Sequence, residues 1–425
     1  MNILILGSGG REHSLAWAVK QNPKCDRLIV APGNAGIAEI AGCVAIKADD
    51  IIGLLALVQR GGYDFVIVGP EVPLAMGLVD ALTEQGVKVF GPTQAAAQLE
   101  SSKAFTKEFC KRHNIPTADY GVFTDLKSAK AHLKTMTKPY VLKADGLAAG
   151  KGVVIATTKK DAEAELAEFF SGKYGEASAT VVIEEFMTGQ EISFFAISDG
   201  KTALPLIAAQ DHKRVFDGDK GPNTGGMGAY SPVPIFGDAE MASVMKTIIQ
   251  PTVDGMHNDG HPFKGVLFAG LMMTEDGPKL IEYNARFGDP ECQVIMRRLQ
   301  SDIMDIFIAA ESEALKDIEP PVWFDDPVVN VVMATNGYPG AYEKGSAISG
   351  IRDAETHDGV IVFHAGTARE DNGALIASGG RVLNITAQAE TLEAAAQAAY
   401  KAIDDAIKWP EGFCRRDIGH HALKG

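Results

Sequence analysis

Long apolar runs that alternate with helical segments over the first hundred residues most limit how this chain can fold. Residues 3–6 read Ile-Leu-Ile-Leu, and residues 65–68 read Phe-Val-Ile-Val. Runs without polar alternation indicate strands buried on both faces, as in parallel sheets covered by helices. The predicted strands are Asn2–Leu6, Arg27–Ala31, Asp64–Val68 and Val87–Phe90. The predicted helices are Arg11–Gln21, Ile51–Arg60 and Leu74–Gln85. Residues 1–101 are therefore predicted to form a doubly wound α/β domain.

The pattern changes after residue 101, and residues 102–321 are predicted to form an α+β domain with a small lid lobe at about residues 119–188. The strands predicted in and beside the lobe are Tyr140–Lys143, Gly152–Ile155, Val181–Glu185 and Glu191–Ile197, the last two paired around a turn at residues 187–190. The predicted helices are Lys103–His113, Lys160–Phe170, Ala239–His257 and Pro290–Ala310. Asp211–Pro234 is predicted as a long loop, rich in glycine and proline. Residues 322–425 are predicted as a strand-rich C-terminal domain that ends in the helix Leu392–Ile407.

A hairpin at residues 266–284 carries the most distinctive polar side chains. Val266–Met273 and Lys279–Asn284 are predicted as its strands, joined by a turn that contains Gly277. Side chains alternate along a strand, so Glu282 and Asn284 share a face, with Arg286 if the strand continues that far. A carboxylate beside an amide oxygen suits Mg²⁺, and an arginine suits an anion held next to it. The alternative is an exposed polar face, but the density of mixed charge in the following residues 287–291 favours a site.

The first glycine-rich loop, residues 7–10, lies between the first predicted strand and helix. Such a loop lets the backbone approach a phosphate at the helix N-terminus. A dinucleotide fingerprint needs a third glycine where Glu12 stands, and no acidic residue ends the second strand, which argues against NAD. A single phosphate helped by Arg11 fits better. The alternative is a tight turn with no ligand.

The second glycine-rich loop, residues 143–152, reads KADGLAAGKG. Only three residues separate Gly146 from Gly150, and Gly152 replaces the hydroxyl residue of a Walker A motif, so the chain is not a P-loop nucleoside triphosphatase. A glycine flap flanked by Lys143 and Lys151 can still close over a triphosphate. The alternative is a hairpin tip with solvated lysines.

The long loop carries Asp211, His212, Lys213 and Arg214 and the glycine-rich residues 221–228. Long loops in compact proteins are usually functional, which makes these residues candidates. A single histidine, however, is more often structural than catalytic, and the neighbouring charges could form a surface cluster. No role follows from the charged segment at residues 415–419.

Composition excludes several classes of protein. A formal net charge of −15 argues against nonspecific nucleic-acid binding and requires phosphate-binding lysines and arginines to be concentrated in a site. Five cysteines without CxxC spacing indicate neither a disulfide framework nor a zinc site, and suggest a reducing compartment. The N-terminus lacks the pattern of a signal peptide, and no apolar run is long enough to span a bilayer. We therefore expect a cytoplasmic protein.

Four strings resemble those of the phosphoribosylamine–glycine ligase family, whose members have the ATP-grasp fold. They are GSGGREH at residues 7–13, HKR at 212–214, GPNTGGMGAYSP at 221–232 and RFGDPECQ at 286–293. The resemblance extends over essentially the whole chain, and the last string is the most specific. It implies a step of purine biosynthesis that forms glycinamide ribonucleotide, ADP and phosphate from glycine, 5-phosphoribosylamine and ATP, through glycyl phosphate.

The resemblance also implies roles for individual residues. It assigns Mg²⁺ or Mn²⁺ to Glu282 and Asn284, and leaves open which of Asp211, Asp289 and Arg286 contacts glycine. It makes Arg286, Lys143 and Asp211 the catalytic candidates. The residues that it implies for ATP are Lys103, Lys143, Gly146, Gly150, Lys151, Gly152, Glu184, Glu185, Phe186 and Glu191. The residues that it implies for the other substrates are Gly9, Gly10, Arg11, Asp211, Lys213, Thr224, Gly225 and Asp289.

Three other functions remain as alternatives. They are another ATP-grasp carboxylate–amine ligase, a noncatalytic nucleotide-binding regulator on the same scaffold, and a dehydrogenase built on the N-terminal domain. The expected partners are the small-molecule substrates alone, with no nucleic acid and no membrane, and nothing in the sequence demands an oligomer, so we expect a monomer.

Overall fold

A computed structural model describes residues 1–147, 152–173 and 175–423 of the chain. Gly150 and Lys151, two of the predicted ATP-binding residues, lie outside the described residues. The N-terminal strands are β1 (Asn2–Gly7), β2 (Arg27–Pro32), β3 (Gly42–Cys43), β4 (Phe65–Val68) and β5 (Val89–Phe90). They form a parallel sheet in the order β3-β2-β1-β4-β5. The helices are α1 (Gly10–Val19), α2 (Ile37–Ile40), α3 (Ile51–Gly61), α4 (Glu71–Ala75) and α5 (Leu78–Glu84). The predicted doubly wound parallel sheet is confirmed.

One predicted helix of this region is wrong. The helix predicted over residues 74–85 is two helices, α4 and α5, separated at Met76 and Gly77. Gly77 has a φ of +81°, a left-handed conformation that glycine adopts without strain and that ends a helix.

The lid lobe is an antiparallel sheet covered by two helices. Its strands are β6 (Tyr120–Phe123), β7 (Tyr140–Ala144), β8 (Val153–Ala156) and β9 (Val181–Glu185), in the order β6-β9-β7-β8. The helices leading into and covering it are α6 (Gln98–Ser101), α7 (Lys103–Arg112), α8 (Leu126–His132) and α9 (Lys159–Phe170), and a short 3₁₀ helix covers Gly175–Ala179. Leu142, Leu166 and Ile183 belong to a core that is separate from the other hydrophobic clusters of the chain.

The middle of the chain contains eight further strands. They are β10 (Gln190–Asp199), β11 (Ala203–Pro205), β12 (Gln210–Asp211), β13 (Arg214–Phe216), β14 (Lys220–Asn223), β15 (Gly228–Ser231), β16 (Lys264–Thr274) and β17 (Gly277–Asn284). The central antiparallel sheet has the order β11-β10-β16-β17, which confirms the predicted hairpin of β16 and β17.

Two predictions for this region are wrong. Val181–Glu185 does not pair with the strand that follows it: β9 pairs with β6 and β7, whereas β10 pairs with β11 and β16. Gly189, at φ +153°, lies so close to the backbone of Met273 that a Cβ would clash, and here the chain passes from the lid sheet to the central sheet. Residues 211–234 are not a structureless loop either, because β13 pairs with β14 and β15 joins the C-terminal sheet.

Two long helices that the sequence predicts are interrupted. The first consists of α10 (Asp238–Val244), a π-helical stretch at Met245–Ile249, and α11 (Gln250–Asn258). Pro251 has no backbone N–H for a normal helical bond, which favours the wider π turn before it. The second is α12 (Glu291–Arg298) and α13 (Ile303–Glu311); Asp302 begins the latter by accepting a 2.8 Å hydrogen bond from the Met304 N–H.

The C-terminal part is strand-rich, as predicted. Its strands are β18 (Val328–Thr335), β19 (Ala347–Ile348), β20 (Val360–His364), β21 (Thr367–Arg369), β22 (Leu375–Ala377), β23 (Arg381–Gln388) and β24 (Gly412–Cys414). The helices are α14 (Ile351–Ala354), α15 (Leu392–Ala406) and α16 (His420–Leu423). The main sheet has the order β12-β15-β18-β23-β20, so it includes two strands from before residue 322. All five cysteines are free, and no helix of the described chain is long and apolar enough to cross a membrane.

Candidate active site

Glu282 and Asn284 lie on one face of β17, and Tyr283 between them is buried on the other face. Glu282 stands opposite Gly270 of β16, and Asn284 opposite Phe268. Gly270 has no side chain, so it leaves the neighbourhood of Glu282 open. The strand ends at Asn284, so the condition under which Arg286 would share this face is not met.

Lysines from three different elements surround Glu282. Burial alone would raise the pKa of this carboxyl group, but Lys213, Lys143 and Lys103 outweigh burial and hold the pKa below its usual value. Glu282 is therefore ionised at neutral pH. An ionised carboxylate with an amide oxygen two residues away is a suitable oxygen donor pair for a hard divalent cation.

Lys143 and Glu184 belong to a buried ion-pair network that the sequence did not reveal. Lys143 Nζ lies 2.9 Å from Glu184 Oε1, and Lys107 Nζ lies 3.1 Å from Glu184 Oε2. Lys107 also donates a 2.7 Å hydrogen bond to Thr117 Oγ1. Because Glu184 already forms ion pairs with two lysines, its carboxylate is not free for a nucleotide. The helical spacing of Lys107, one turn after Lys103 on α7, was the signal that could have found it.

The second glycine-rich loop is fastened to the N-terminus of α7. Lys103 Nζ donates a 3.0 Å hydrogen bond to the Gly146 carbonyl, and Asp145 accepts one of 3.1 Å from the Ala104 N–H. Burial lowers the pKa of Lys103, against the opposing effect of Glu282. At the other end of the loop, the Gly152 carbonyl accepts a 2.8 Å hydrogen bond from Ala144. Thus Lys103 lies between the loop and Glu282.

Three residues implied for ATP lie at the end of β9 and the start of β10. Glu185 accepts a 3.2 Å hydrogen bond from the Asp119 N–H, and the side chain of Phe186 is exposed. Glu191, at the start of β10, forms an ion pair with Lys213. That ion pair joins a residue implied for ATP to one implied for the other substrates.

Asp211 and Lys213 form the edge of the site nearest to β15. Burial, with Glu291 and Glu191 nearby, raises the pKa of Asp211 to about 7, although Lys213 opposes the shift. Burial works against the charge of Lys213 too, but Glu191, Asp211 and Glu282 keep its pKa well above the usual value. Thr224 holds this segment in place, because its Oγ1 donates a 2.9 Å hydrogen bond to the Lys213 carbonyl. The two carboxylates thus differ: Glu282 is ionised, and Asp211 titrates near neutral pH.

Arg286 is already paired with two carboxylates. Its Nε lies 3.2 Å from Glu71 of α4, and its Nη2 lies 2.9 Å from Glu100 of α6. Neither glutamate was a candidate from the sequence, because nothing in a strand-to-helix pattern shows which surface meets residue 286. An anionic substrate that uses Arg286 must share it with these partners.

Two backbone N–H groups at the first glycine-rich loop and the start of α1 are also occupied by carboxylates. The Gly9 N–H donates a 2.7 Å hydrogen bond to Glu12, and the Arg11 N–H donates one of 3.4 Å to Asp289. The Arg11 guanidinium is buried, donating to Glu12 at 2.6 Å and to the Phe287 carbonyl at 3.1 Å. Arg11 therefore connects α1 to residues 287–289, and its side chain points into the protein.

The C-terminal part contributes side chains that the sequence analysis did not select. Arg381 Nη1 donates a 2.6 Å hydrogen bond to the Gly225 carbonyl, and Gly225 N–H donates one of 3.2 Å to the Tyr338 hydroxyl. Gln293 Nε2 donates hydrogen bonds to Asp289 Oδ1 at 2.9 Å and to Asn384 Oδ1 at 3.0 Å, so it connects these two residues. A Cβ on Gly10 would clash with Gln293 and Asn384, so close packing rather than backbone strain requires glycine there. Burial opposes the charge of Asp289, but Arg381 and Arg11 lower its pKa.

Comparisons with known proteins agree over the whole chain. Models described as phosphoribosylglycinamide synthetase N domain, ATP-grasp (A) domain and C domain match residues 1–100, 101–292 and 328–421. A phosphoribosylamine–glycine ligase of Caulobacter vibrioides is 55% identical over 424 residues, covering 100% of this chain and 99% of that relative. One of Brucella melitensis is 54% identical, with coverages of 100% and 99%. The crystal structure of phosphoribosylamine–glycine ligase from Thermotoga maritima superposes with a TM-score of 0.86 at 32% identity, covering 98% of this chain and 100% of that chain. The predicted ATP-grasp domain is confirmed.

Proposed function

The chain belongs to the phosphoribosylglycinamide synthetase family, and on that premise we propose that it joins glycine to 5-phosphoribosylamine in an ATP-dependent reaction. The products are glycinamide ribonucleotide, ADP and phosphate, and the reaction is a step of purine biosynthesis. The observation that best supports this function is the convergence of Lys103, Lys143 and Lys213 on Glu282. An acidic chain concentrates cations at this place, as a site for a triphosphate requires.

The proposed reaction proceeds in two steps. An oxygen of the glycine carboxylate attacks the γ-phosphorus of ATP, the bond to ADP breaks, and glycyl phosphate forms. The amine nitrogen of phosphoribosylamine then attacks the acyl carbon, phosphate leaves, and the amine loses a proton. Catalysis of this kind depends on positioning and charge neutralisation, not on a protein nucleophile. Lys103 and Lys143 neutralise the ATP phosphates, and Arg286 neutralises glycine or its acyl phosphate.

Asp211 is the proposed partner of the glycine ammonium group. The pKa of its carboxyl group, raised to about 7 by burial, falls when a cation binds beside it, so the bound amino acid favours the ionised form. Lys213 is adjacent and is paired with Glu191, which leaves Asp211 able to accept a second cation. Glycine binding should therefore strengthen as the pH rises through 7.

Glu282 and Asn284 are the proposed ligands of Mg²⁺ or Mn²⁺. The two residues fit such an ion, because Glu282 is ionised and both side chains offer oxygen atoms, the donors that these two ions prefer. When bound, the ion supplies further neutralisation of the phosphate oxygens.

The remaining residue roles are also proposals. For ATP they are Gly146, Gly150, Lys151, Gly152, Glu184, Glu185, Phe186 and Glu191, with Glu184 acting through its backbone. For the other substrates they are Gly9, Gly10, Arg11, Thr224, Gly225 and Asp289. We further propose the division into residues 1–101, 102–321 and 322–425, a monomeric state, and a cytoplasmic location.

The experiment that tests the function measures ADP formation from ATP and Mg²⁺ with glycine and freshly generated phosphoribosylamine, each omitted in turn. We expect ADP only when both are present. In Glu282→Gln, turnover should fall at least about a hundredfold, as expected when a metal ligand is lost. The matched control is Glu275→Gln, at the exposed turn of the same hairpin, which should behave as wild type.

Two results would contradict the proposal. ADP formation that is indifferent to glycine would point to another carboxylate substrate on the same fold. Full activity in Glu282→Gln would remove that side chain from the metal site.

A further inference from the structure

Three histidines and one aspartate meet outside the candidate active site, where α16 packs beside the β13–β14 hairpin. They are His212, Asp219, His420 and His421, and we call them the histidine cluster. One nitrogen atom of each histidine lies within 4.8 Å of those of the other two. The rings of His420 and His421 have centroids only 3.9 Å apart.

The distances around Asp219 match those between ligands of one metal ion. Its Oδ2 atom lies 3.2 Å from His420 Nε2 and 3.2 Å from His421 Nε2. A tetrahedral ion with ligand bonds of about 2.0 Å has ligand–ligand distances of about 3.3 Å. The two distances from Asp219 Oδ2 thus equal the edges of such a tetrahedron.

Both nitrogen atoms of the His420 ring face oxygen atoms that can only accept hydrogen bonds. Its Nδ1 lies 3.0 Å from the Asp417 carbonyl, which can only accept a hydrogen bond. If Nδ1 carries the ring proton, the lone pair of Nε2 faces the Asp219 carboxylate, and the two repel. Either a second proton or a cation must lie between them. A histidine that donates through Nδ1 to a backbone carbonyl while Nε2 faces outward has the arrangement of a metal ligand with its supporting hydrogen bond.

The charges near the cluster favour a cation. Buried Arg415 donates to Asp219 Oδ1 at 2.9 Å and to Asp417 at 2.8 Å, so one positive group is shared by two carboxylates. Arg415 also fixes the orientation of Asp219 and leaves Oδ2 for the histidines.

His212 closes the buried side of the cluster. Its Nδ1 is buried and has no hydrogen-bond partner among the described residues. Its Nε2 accepts a 3.2 Å hydrogen bond from the Gly419 N–H, a bond that ligation by this ring would release. Metal binding therefore requires His212 to give up its hydrogen bond with the Gly419 N–H.

We propose that His420, His421 and Asp219, with His212 on the buried side, bind a divalent cation of the Zn²⁺ class. Imidazole nitrogens with one carboxylate suit Zn²⁺, whereas the oxygen pair of Glu282 and Asn284 suits Mg²⁺, so the two sites select different ions. The bound ion joins α16 to the residue that follows Asp211. This inference goes beyond the proposed reaction and does not depend on it.

Tag-free, full-length protein stripped with a chelator is titrated with Co²⁺ as the spectroscopic probe, in excess Mg²⁺, and then with Zn²⁺ in a calorimeter. We expect one equivalent to bind, with visible d–d bands and without the near-ultraviolet charge-transfer band of a cysteine ligand. His420→Gln/His421→Gln should bind at least about a hundredfold more weakly. His261→Gln, at an exposed histidine between α11 and β16, is the matched control and should bind as wild type.

Circular dichroism and ADP formation report whether the double variant folds. If it does not, His421→Gln alone removes one ligand from an exposed position. The proposal is overturned if the wild type binds no stoichiometric ion, if binding is unchanged in the variants, or if a thiolate band places the ion at cysteines. In those cases hydrogen bonds and ion pairs alone hold the histidine cluster together.

Discussion

Asp211 differs from the other carboxylates near it because its environment disfavours its charge. Asp289 and Glu282 are each held ionised by lysines or arginines. Asp211 has Lys213 beside it, but burial and two glutamates outweigh that lysine and raise its pKa to about 7. A carboxylate therefore serves as a fixed charge at Asp289 and Glu282 and as a titrating group at Asp211.

Asp211 should make stability depend on pH. In the unfolded chain an aspartate titrates near pH ~4, so between about pH 4 and 7 the folded chain retains a proton that the unfolded chain has lost. This contribution is full below pH 4 and is lost as the pH rises through 7, by an amount on the order of a few kcal/mol. Wild type should thus lose stability relative to Asp211→Asn over this range, measured by urea denaturation at pH 4.5 to 8.

The control for this measurement is Asp276→Asn, at an exposed turn. A difference between wild type and Asp211→Asn that stays constant with pH would show that Asp211 does not titrate in this range.

Residue-level prediction worked where the constraint was local. Alternation along one strand separated Glu282 and Asn284 from Tyr283, and the structure has that alternation. It failed where partners come from distant elements: Glu71, Glu100 and Arg381 contact the site through helix and sheet packing. No spacing in the sequence encodes those contacts.

At the scale of elements, the connection between α7 and the glycine-rich loop determines how the loop is held. Asp145 lies near the start of the loop and accepts hydrogen bonds of 3.1 Å from both the Ala104 N–H and Ser102 Oγ. Ser102 Oγ in turn accepts from the Phe105 N–H at 3.1 Å and begins α7. The loop therefore starts from a fixed point on a helix N-terminus.

Asp145→Ala should weaken ATP binding. Loss of a helix-capping interaction costs about 1 kcal/mol, which corresponds to roughly a fivefold rise in the KM for ATP if the loop binds the nucleotide. Steady-state kinetics with varied ATP measure the effect. Asp125→Ala is the matched control, because Asp125 caps α8 of the same lobe through the Ser128 N–H at 2.9 Å and is not part of the glycine-rich loop. Equal KM values for ATP in the two variants would show that the hydrogen bonds of Asp145 to the N-terminus of α7 do not contribute to ATP binding.

Whole elements were predictable when their signal lay within one segment. The apolar runs of β1 and β4 and the hairpin of β16 and β17 are examples. The hairpin predicted for β9 and β10 was wrong because a short turn with Gly189 also suits a passage between two sheets. Residues 211–234 looked like a loop because the partner of β15 is β18, about a hundred residues later.

Over the whole molecule, hydrophobic cores are distributed unevenly. Phe65 of the N-terminal sheet, Phe195 of the central sheet and Val328 of the C-terminal sheet share one cluster. Phe90 stacks on Phe307 with ring centroids 4.0 Å apart. The lid lobe, in contrast, has a small core of its own. The lobe should therefore open at a lower free-energy cost than the rest.

Hydrogen exchange followed by mass spectrometry tests this expectation. Amides of β7 and β9 should exchange before those of β1 and β18, and a nonhydrolysable ATP analogue with Mg²⁺ should slow exchange in the lobe more than in β1. Uniform exchange in all four strands would mean that the lobe and the remainder unfold together.

The C-terminal sheet has a consequence for biosynthesis. The strand that ends at Asp211 joins a sheet whose inner strand β23 lies at residues 381–388, near the end of the chain. A ribosome adding about 5–20 residues per second needs roughly 10–30 s to make the residues between β15 and β23. The N-terminal sheet can form during synthesis, but the sheet that β12 joins is complete only after β23 has emerged. A nascent chain that stalls before residue 381 therefore lacks both an inner strand of this sheet and Arg381, whose side chain holds the Gly225 carbonyl.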